Sequence, residues 1–221
     1  MPNQNASSVG AAPLIRSRWQ ATVTVLILLQ LPWPRWLVAG EDLSAQTMRE
    51  LLFWLMATLL LIYVLWIERR PLRSVGLRKP DWRTLAWGAG GAAAMVAGMA
   101  FIYMVVLPAL GLAEEEQLGE VRSLPLWFRV GLVTRAAVFE ELYYRGFAIE
   151  RIAELTGMRW LAALISLLLF TVAHLGYWGW AHLMVAGFGG LVLTVLYLLR
   201  RDLGAAMLAH WLTDGVGFLL G

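Results

Sequence analysis

Long apolar stretches without charged residues recur along the whole chain, and this pattern restricts the possible folds more than any other feature. The 221 residues are 60% hydrophobic and 15% charged, whereas soluble domains are roughly half apolar and about a quarter charged. A stretch of about 20 apolar residues is long enough to cross a bilayer as a helix. The sequence therefore predicts an all-α, polytopic membrane protein.

The apolar segments predict about seven transmembrane helices, within a range of roughly six to eight. We expect these helices to form a bundle that encloses a polar cavity within the membrane. The segments are 21–39, 51–67, 84–107, 126–143, 160–174, 182–199 and 205–220. The first segment contains Pro32 and Pro34, and we interpret it as one helix that its prolines kink.

The charges between the segments predict how the chain is oriented. Basic residues concentrate in 68–83, 144–159 and 200–204, while the intervening loops are acidic or uncharged. This alternation predicts a multi-pass protein of the cell membrane with a cytoplasmic N-terminus. The formal charge is only +3, so we interpret the arginines as orientation signals and expect the lipid bilayer, not nucleic acid, as partner.

Small residues repeat along the third segment, where Ala86, Gly90, Ala94 and Gly98 stand four residues apart. This spacing permits close approach between membrane helices. We interpret the row as a packing face. The glycine-rich stretch 187–190 is interpreted in the same way.

Two adjacent acids, Glu140 and Glu141, interrupt the fourth segment, although an ionised side chain at membrane depth costs roughly 2.5–3.5 kcal/mol. Residues four apart share a helical face, so Glu141 is predicted to pair with Arg145. Glu140 has no partner at this spacing, and an unpaired, desolvated carboxylate has a raised pKa that suits a general base. The spacing therefore selects Glu140 as the catalytic candidate. Simple solvation of both acids at the helix end is the alternative.

Two of the three histidines, His174 and His210, lie in strongly apolar segments. His210 shares a helical face with Asp214, four residues later. If the fourth helix continues to a turn at 156–157, Glu140 lies about 24 Å and His174 about 27 Å from that turn. An antiparallel hairpin would then bring these two side chains to nearly the same depth.

Two further polar residues receive no catalytic role. His182 stands beside Trp178 and Trp180 at the start of an apolar segment, and we interpret it as a structural residue at the membrane interface. Arg135 lies deep in the fourth segment, with no acid three or four residues away. Its partner is therefore expected on another helix.

Three motifs, in this order, resemble the CPBP family of intramembrane proteases, which are relatives of type II CAAX prenyl endopeptidases and of bacteriocin-processing or immunity proteins. They are EELYYR at 140–145, FTVAH at 170–174 and HWLTD at 210–214. The resemblance covers roughly residues 124–220, and it implies an endopeptidase that cleaves membrane-associated protein or peptide substrates. On this basis we divide the chain into an N-terminal polar tail at 1–18, N-terminal transmembrane helices at 19–123 and a CPBP-like catalytic core at 124–221.

The resemblance also implies roles for the motif residues. Glu140 would activate water with the help of His174, and His210 and residue 214 would stabilise the oxyanion or complete a metal site. Glu141 and Arg145 would form an organising pair. The family motif usually ends in asparagine, and an ionised aspartate cannot donate to an oxyanion. Asp214 would therefore be protonated, bind a metal or orient His210.

Two mechanisms and three functions are compatible with these residues. Glu140, His174 and His210 are of the type that holds Zn²⁺ with one open position, and a metal-independent glutamate mechanism is equally compatible. Asp214 favours a second hypothesis, a non-catalytic membrane immunity or regulatory protein that binds a peptide or protein partner. A small proton-relaying transporter is the third, but the sequence lacks the repeats and broken helices that would support it.

Overall fold

The computed structural model describes residues 11–112 and 116–220, and within these ranges every regular element is a helix. The predicted all-α fold is therefore confirmed. The α-helices are α1 Ala11–Gln30, α2 Trp33–Leu37, α3 Leu43–Ile62, α4 Trp82–Phe101, α5 Leu107–Ala109, α6 Glu116–Ser123, α7 Leu126–Glu140, α8 Glu150–Thr156, α9 Arg159–Ala173, α10 Leu175–Trp178, α11 His182–Arg200 and α12 Leu203–Leu219. Three π-helical stretches (Tyr63–Ile67, Ile102–Val106 and Glu141–Ile149) and one 3₁₀ turn (Leu72–Val75) complete the described elements.

The chain is a membrane protein, although the predicted count of about seven spans is not confirmed. Within the described residues, four helical stretches are long and apolar enough to cross a membrane: Leu43–Ile67, Trp82–Ala109, Arg159–Trp178 and His182–Arg200. Helix α12 has only 17 residues, and α7 is interrupted by charged side chains. The predicted cytoplasmic N-terminus stays a prediction, because residues 1–10 lie outside the described part of the chain.

The described chain divides after Pro32 into two compact units. In the first unit, α1 begins at Ala11 and ends at Gln30. The expected single kinked helix over 21–39 is wrong, since α2 starts only at Trp33. Proline lacks a backbone N–H and disfavours helical geometry in the residue before it, so the helix stops ahead of Pro32.

In the second unit, α12 packs most extensively against α4 and then against α7, and α11 packs against α9 and α4. Helices α4, α11 and α12 share one apolar core. Its buried residues are Met95, Leu193, Leu196, Ala206 and Ala209. Helix α12 of this core also packs against α7, which ends at Glu140, directly before Glu141.

The small-residue face predicted on α4 is only partly correct. Gly98 does pack closely, since a Cβ there would lie 2.2 Å from the Phe188 ring. The other three members line an open apolar groove of about 350 Å³ between α4 and α11, and a Cβ on Gly90 would meet nothing within 4 Å. The residues that approach α12 are instead Gly88 and Gly91, which face Leu208 and Ala209.

Helix α7 continues without a break through the π-helical stretch Glu141–Ile149 into α8, which ends at Thr156. Gly157 ends α8 with a φ of +69°, a conformation that glycine adopts at little cost. The predicted turn at 156–157 is therefore confirmed. The π-helical winding was not predicted, because no sequence period distinguishes it from an α-helix.

The basic segments predicted to lie on one side of the membrane meet at one end of the second unit. Arg78 pairs with Asp202 across 3.1 Å, and Arg201 pairs with Glu150 across 2.6 Å. Each pair joins two of these segments, which therefore share one end of the bundle. We call this region the basic end.

Some of the charged residues that predicted the membrane orientation do not lie in exposed loops. Glu50 lies inside α3, and Arg145 and Arg151 are each 1% exposed. Arg151 donates to both carboxylate oxygens of Glu68, at 2.6 and 2.9 Å. The orientation prediction therefore depends on the remaining basic residues of the three segments.

Candidate active site

Glu141 lies at the centre of a fully buried group of charges that we call the inner cluster, formed by Glu141, Arg145 and His210. Arg145 Nη1 donates to Glu141 Oε1 at 2.7 Å, as the spacing of the two residues predicts. His210 Nδ1 lies 2.9 Å from the same oxygen. The Glu141 side chain is 0% exposed, and its Oε2 has no hydrogen-bond partner within the described residues.

Arg145 ties the inner cluster to two other helices. Its Nη2 donates to the carbonyl oxygen of Gly190 at 3.1 Å, and its guanidinium lies 4.2 Å from the centre of the Phe170 ring. A Cβ at Gly190 would come within 2.8 Å of that ring. The glycine therefore lets α11 approach closely enough for its carbonyl to reach Arg145.

Glu140 and His174 form a second group, which we call the outer pair. Glu140 Oε2 lies 3.9 Å from His174 Nε2, and the two side chains are 16% and 18% exposed. The predicted equal depth of these residues is therefore confirmed. His174 Nδ1 lies 2.8 Å from the Phe170 carbonyl oxygen, which can only accept a hydrogen bond, so Nδ1 carries a proton.

The expectation that Glu140 is unpaired is wrong. Arg135 Nη1 donates to Glu140 Oε1 at 3.0 Å. Arg135 also donates to both oxygens of Glu50 on α3, at 2.7 and 3.0 Å. The spacing rule missed the first contact because the long arginine side chain reaches an acid five residues away. The expected cross-helix partner of Arg135 is Glu50.

Asp214 lies beside the other nitrogen of His210, with 3.3 Å between Asp214 Oδ2 and His210 Nε2. Both ring nitrogens of His210 therefore face carboxylate oxygens, one from Glu141 and one from Asp214. Only a protonated imidazole has a donor on each nitrogen. Of the three roles considered for Asp214, this arrangement favours orientation of His210.

His182 contributes to the surroundings of the outer pair, which the sequence interpretation missed. Its ring stacks on Trp178, with centroids 4.7 Å apart, and on His174, with centroids 5.9 Å apart. The ring centroids of Phe170 and His174 lie 4.5 Å apart. The eight-residue spacing of His174 and His182 could have suggested proximity only once the short helix α10 was known.

The structure thus brings the predicted residues together as two adjoining groups. Glu140 with His174 forms the outer pair, and Glu141 with Arg145 and His210 forms the inner cluster, which Asp214 contacts through His210.

The candidate zinc ligands Glu140, His174 and His210 do not fit a metal centre. Among the described residues, no group of three or more His, Asp or Glu side chains is placed to hold a metal ion. Glu140 Oε1 binds Arg135, and both nitrogens of His210 face carboxylates. Too few free donor atoms therefore remain for the coordination that a catalytic zinc requires.

The fold and this site define a helical membrane protein that holds acid and histidine side chains between its helices. Residues 122–216 match the family model of type II CAAX prenyl endopeptidase, Rce1-like proteins. This match confirms the resemblance to the CPBP proteases over residues 122–216. No curated protein and no solved structure matches the chain significantly.

Proposed function

We propose that the protein is an intramembrane endopeptidase that hydrolyses peptide bonds of membrane-associated protein or peptide substrates. Proteins processed at a CAAX-type C-terminus and peptides undergoing maturation are the candidate substrate classes. Family membership of residues 122–216 supports a protease. The predicted polar cavity would lie around the outer pair, where Glu140 and His174 keep partial exposure.

One observation carries this proposal: the 3.9 Å separation of Glu140 Oε2 and His174 Nε2. The Phe170 carbonyl holds the proton of His174 on Nδ1, so Nε2 of the neutral ring is an acceptor. Two acceptors at this distance do not bond each other directly, but both can accept hydrogen bonds from one water molecule. The pair is therefore arranged to hold and polarise a nucleophilic water.

Glu140 acts as the general base in the proposed reaction. It takes a proton from the water while the water oxygen attacks the scissile carbonyl carbon, which gives a tetrahedral oxyanion. The C–N bond then breaks as the same proton passes from Glu140 to the departing amine. The products are a new carboxyl terminus and a new amino terminus.

His210 supplies the positive charge that stabilises the oxyanion. Its Nδ1–H faces Glu141 and its Nε2–H faces Asp214, whose side chain is 20% exposed, so the ring would act on the oxyanion through its charge. Fixed donors and charges aimed at a developing oxyanion contribute strongly to acyl-transfer catalysis. Asp214 orients the His210 ring and does not itself donate.

The proposal is tested by comparing new peptide termini in the membrane and secreted proteomes of a host that lacks its own copy. The wild type, Glu140→Gln and Glu154→Gln would be expressed at equal membrane levels. Glu154 is a matched control, since it is a partly exposed acid at the basic end. We expect cleaved termini with the wild type and Glu154→Gln, and a loss of at least ~100-fold with Glu140→Gln.

Identical termini profiles for all three proteins would contradict the protease proposal. If a phenotype were then rescued equally by wild type and Glu140→Gln, the non-catalytic immunity or regulatory hypothesis would replace it. This outcome would make partner binding the quantity to measure next.

Metal dependence is tested on the purified protein with a peptide that spans an identified cleavage site. We expect dialysis against 1,10-phenanthroline to leave the cleavage rate unchanged, because the glutamate mechanism takes its proton acceptor from Glu140 alone. A loss of activity that Zn²⁺ restores would favour the metal hypothesis instead.

A further inference from the structure

Arg135 connects the candidate base to a helix outside the matched region. It binds Glu140 on its own helix and Glu50 on α3, and Glu50 lies well before the matched residues 122–216. We propose that Arg135, anchored by Glu50, is a positioning residue that aims the Glu140 carboxylate at the nucleophilic water. This inference rests on the proposed function and extends its machinery to α3.

The anchoring contact has the geometry of a strong, fixed ion pair. Arg135 Nε and Nη2 donate to the two oxygens of Glu50 at 2.7 and 3.0 Å, which is the bidentate arrangement that arginine favours. The Arg135 guanidinium also lies 4.5 Å from the centre of the Phe53 ring. With side-chain exposures of 11% for Arg135 and 17% for Glu50, the pair is mostly shielded from solvent.

The third guanidinium nitrogen of Arg135, Nη1, binds Glu140 and thereby fixes which carboxylate oxygen faces His174. Nη1 binds Glu140 Oε1 at 3.0 Å, so Oε2 is left facing His174 Nε2. Rotation of the carboxylate would break the contact with Arg135. A misplacement of a reacting group by about 1 Å can lower the rate by a factor of about 100. By holding this carboxylate orientation, Arg135 could therefore affect kcat strongly without touching the substrate.

A purely structural ion pair between α3 and α7 is the competing explanation, and a charge reversal separates the two. The double variant Glu50→Arg with Arg135→Glu keeps opposite charges on the two helices but places an acid beside Glu140. We expect the purified double variant to fold with an ion pair between α3 and α7, to lose at least ~10-fold in kcat and to retain its KM. A wild-type kcat in a folded double variant would overturn the inference.

Conservative single variants keep the inference testable if the charge reversal does not fold. Arg135→Gln is expected to lower kcat by about 100-fold. Arg135→Lys should recover part of that loss without a change in KM, because lysine keeps the positive charge but cannot form the bidentate contact. Arg151→Lys is the matched control. Arg151 also makes a buried bidentate pair with a distant glutamate, Glu68, but it lies at the basic end.

Arg151→Lys should lower the unfolding temperature and leave kcat unchanged. Equal kcat values for wild type, Arg135→Lys and Arg135→Gln would reject the positioning role. The wild type is also compared with Glu140→Gln in the same assay. A wild type no faster than Glu140→Gln would reject the proposed function itself, so the two failures are distinguishable.

Discussion

The inner cluster and the outer pair begin at consecutive residues of one helix, yet their surroundings differ. Glu141 is 0% exposed and shares one oxygen between Arg145 and His210, whereas Glu140 is 16% exposed and lies 3.9 Å from His174, a separation that one water molecule beside the two side chains can bridge. One helical step turns the side chain by about 100°. Access to water, more than the presence of a charged partner, therefore separates the structural acid Glu141 from the catalytic candidate Glu140.

Replacing Glu141 is expected to destabilise the protein far more than replacing Glu140. Glu141→Ala leaves Arg145 and His210 buried without their shared carboxylate, and breaking a buried ion pair costs roughly 3–5 kcal/mol. We expect a strongly lowered unfolding temperature in detergent, measured by differential scanning fluorimetry. Glu140→Gln is the control and should unfold close to the wild-type temperature, because glutamine still accepts a hydrogen bond from Arg135. Equal losses for the two variants would remove the distinction between the groups.

A smaller effect is expected where the inner cluster and the outer pair share a packing residue. The added methyl group of Gly190→Ala would clash with the Phe170 ring. That ring contacts Arg145, and the Phe170 carbonyl oxygen accepts the hydrogen bond of His174. Overpacking of this kind costs roughly 1–3 kcal/mol, and we expect both stability and cleavage to fall. Gly187→Ala on the same helix is the control, since a Cβ there would make only an ordinary contact, 3.6 Å from Thr171.

The smallest effect concerns Asp214 at the edge of the inner cluster. Asp214→Asn retains an oxygen that can accept from His210 Nε2, so stability should change by no more than about 1 kcal/mol and kcat by less than about tenfold. Steady-state kinetics on the purified variant would measure this. A loss of about 100-fold or more would show that the carboxylate itself takes part in the reaction, as a proton donor or a ligand.

The sequence predicted the parts of this molecule that depend on one helix or one hairpin. The apolar segments predicted the all-helical fold, though not the number of spans. The spacing of Glu141 and Arg145 predicted their ion pair, and the turn at 156–157 placed Glu140 level with His174. These features follow from the rise and period of a single helix.

Contacts between distant helices could not be obtained in this way. The binding of Arg135 by Glu50 joins residues 85 positions apart, and the stacking of His182 on His174 depends on the path of the chain around α10. Residue spacing carries no information about which helices are neighbours. The prediction of a packing face on α4 was only partly correct for the same reason, because helical spacing shows a face but not what the face contacts.

The π-helical stretch Glu141–Ile149 sets the rotational phase between the two ends of the helix that runs from Leu126 to Thr156. Before this stretch, Glu140 faces His174. After it, Glu150 and Arg151 form ion pairs at the basic end. Inserting or deleting one residue between them, with the helix kept regular, would rotate one end against the other by about 100°. Related chains are therefore expected to vary in composition along this stretch while conserving its length.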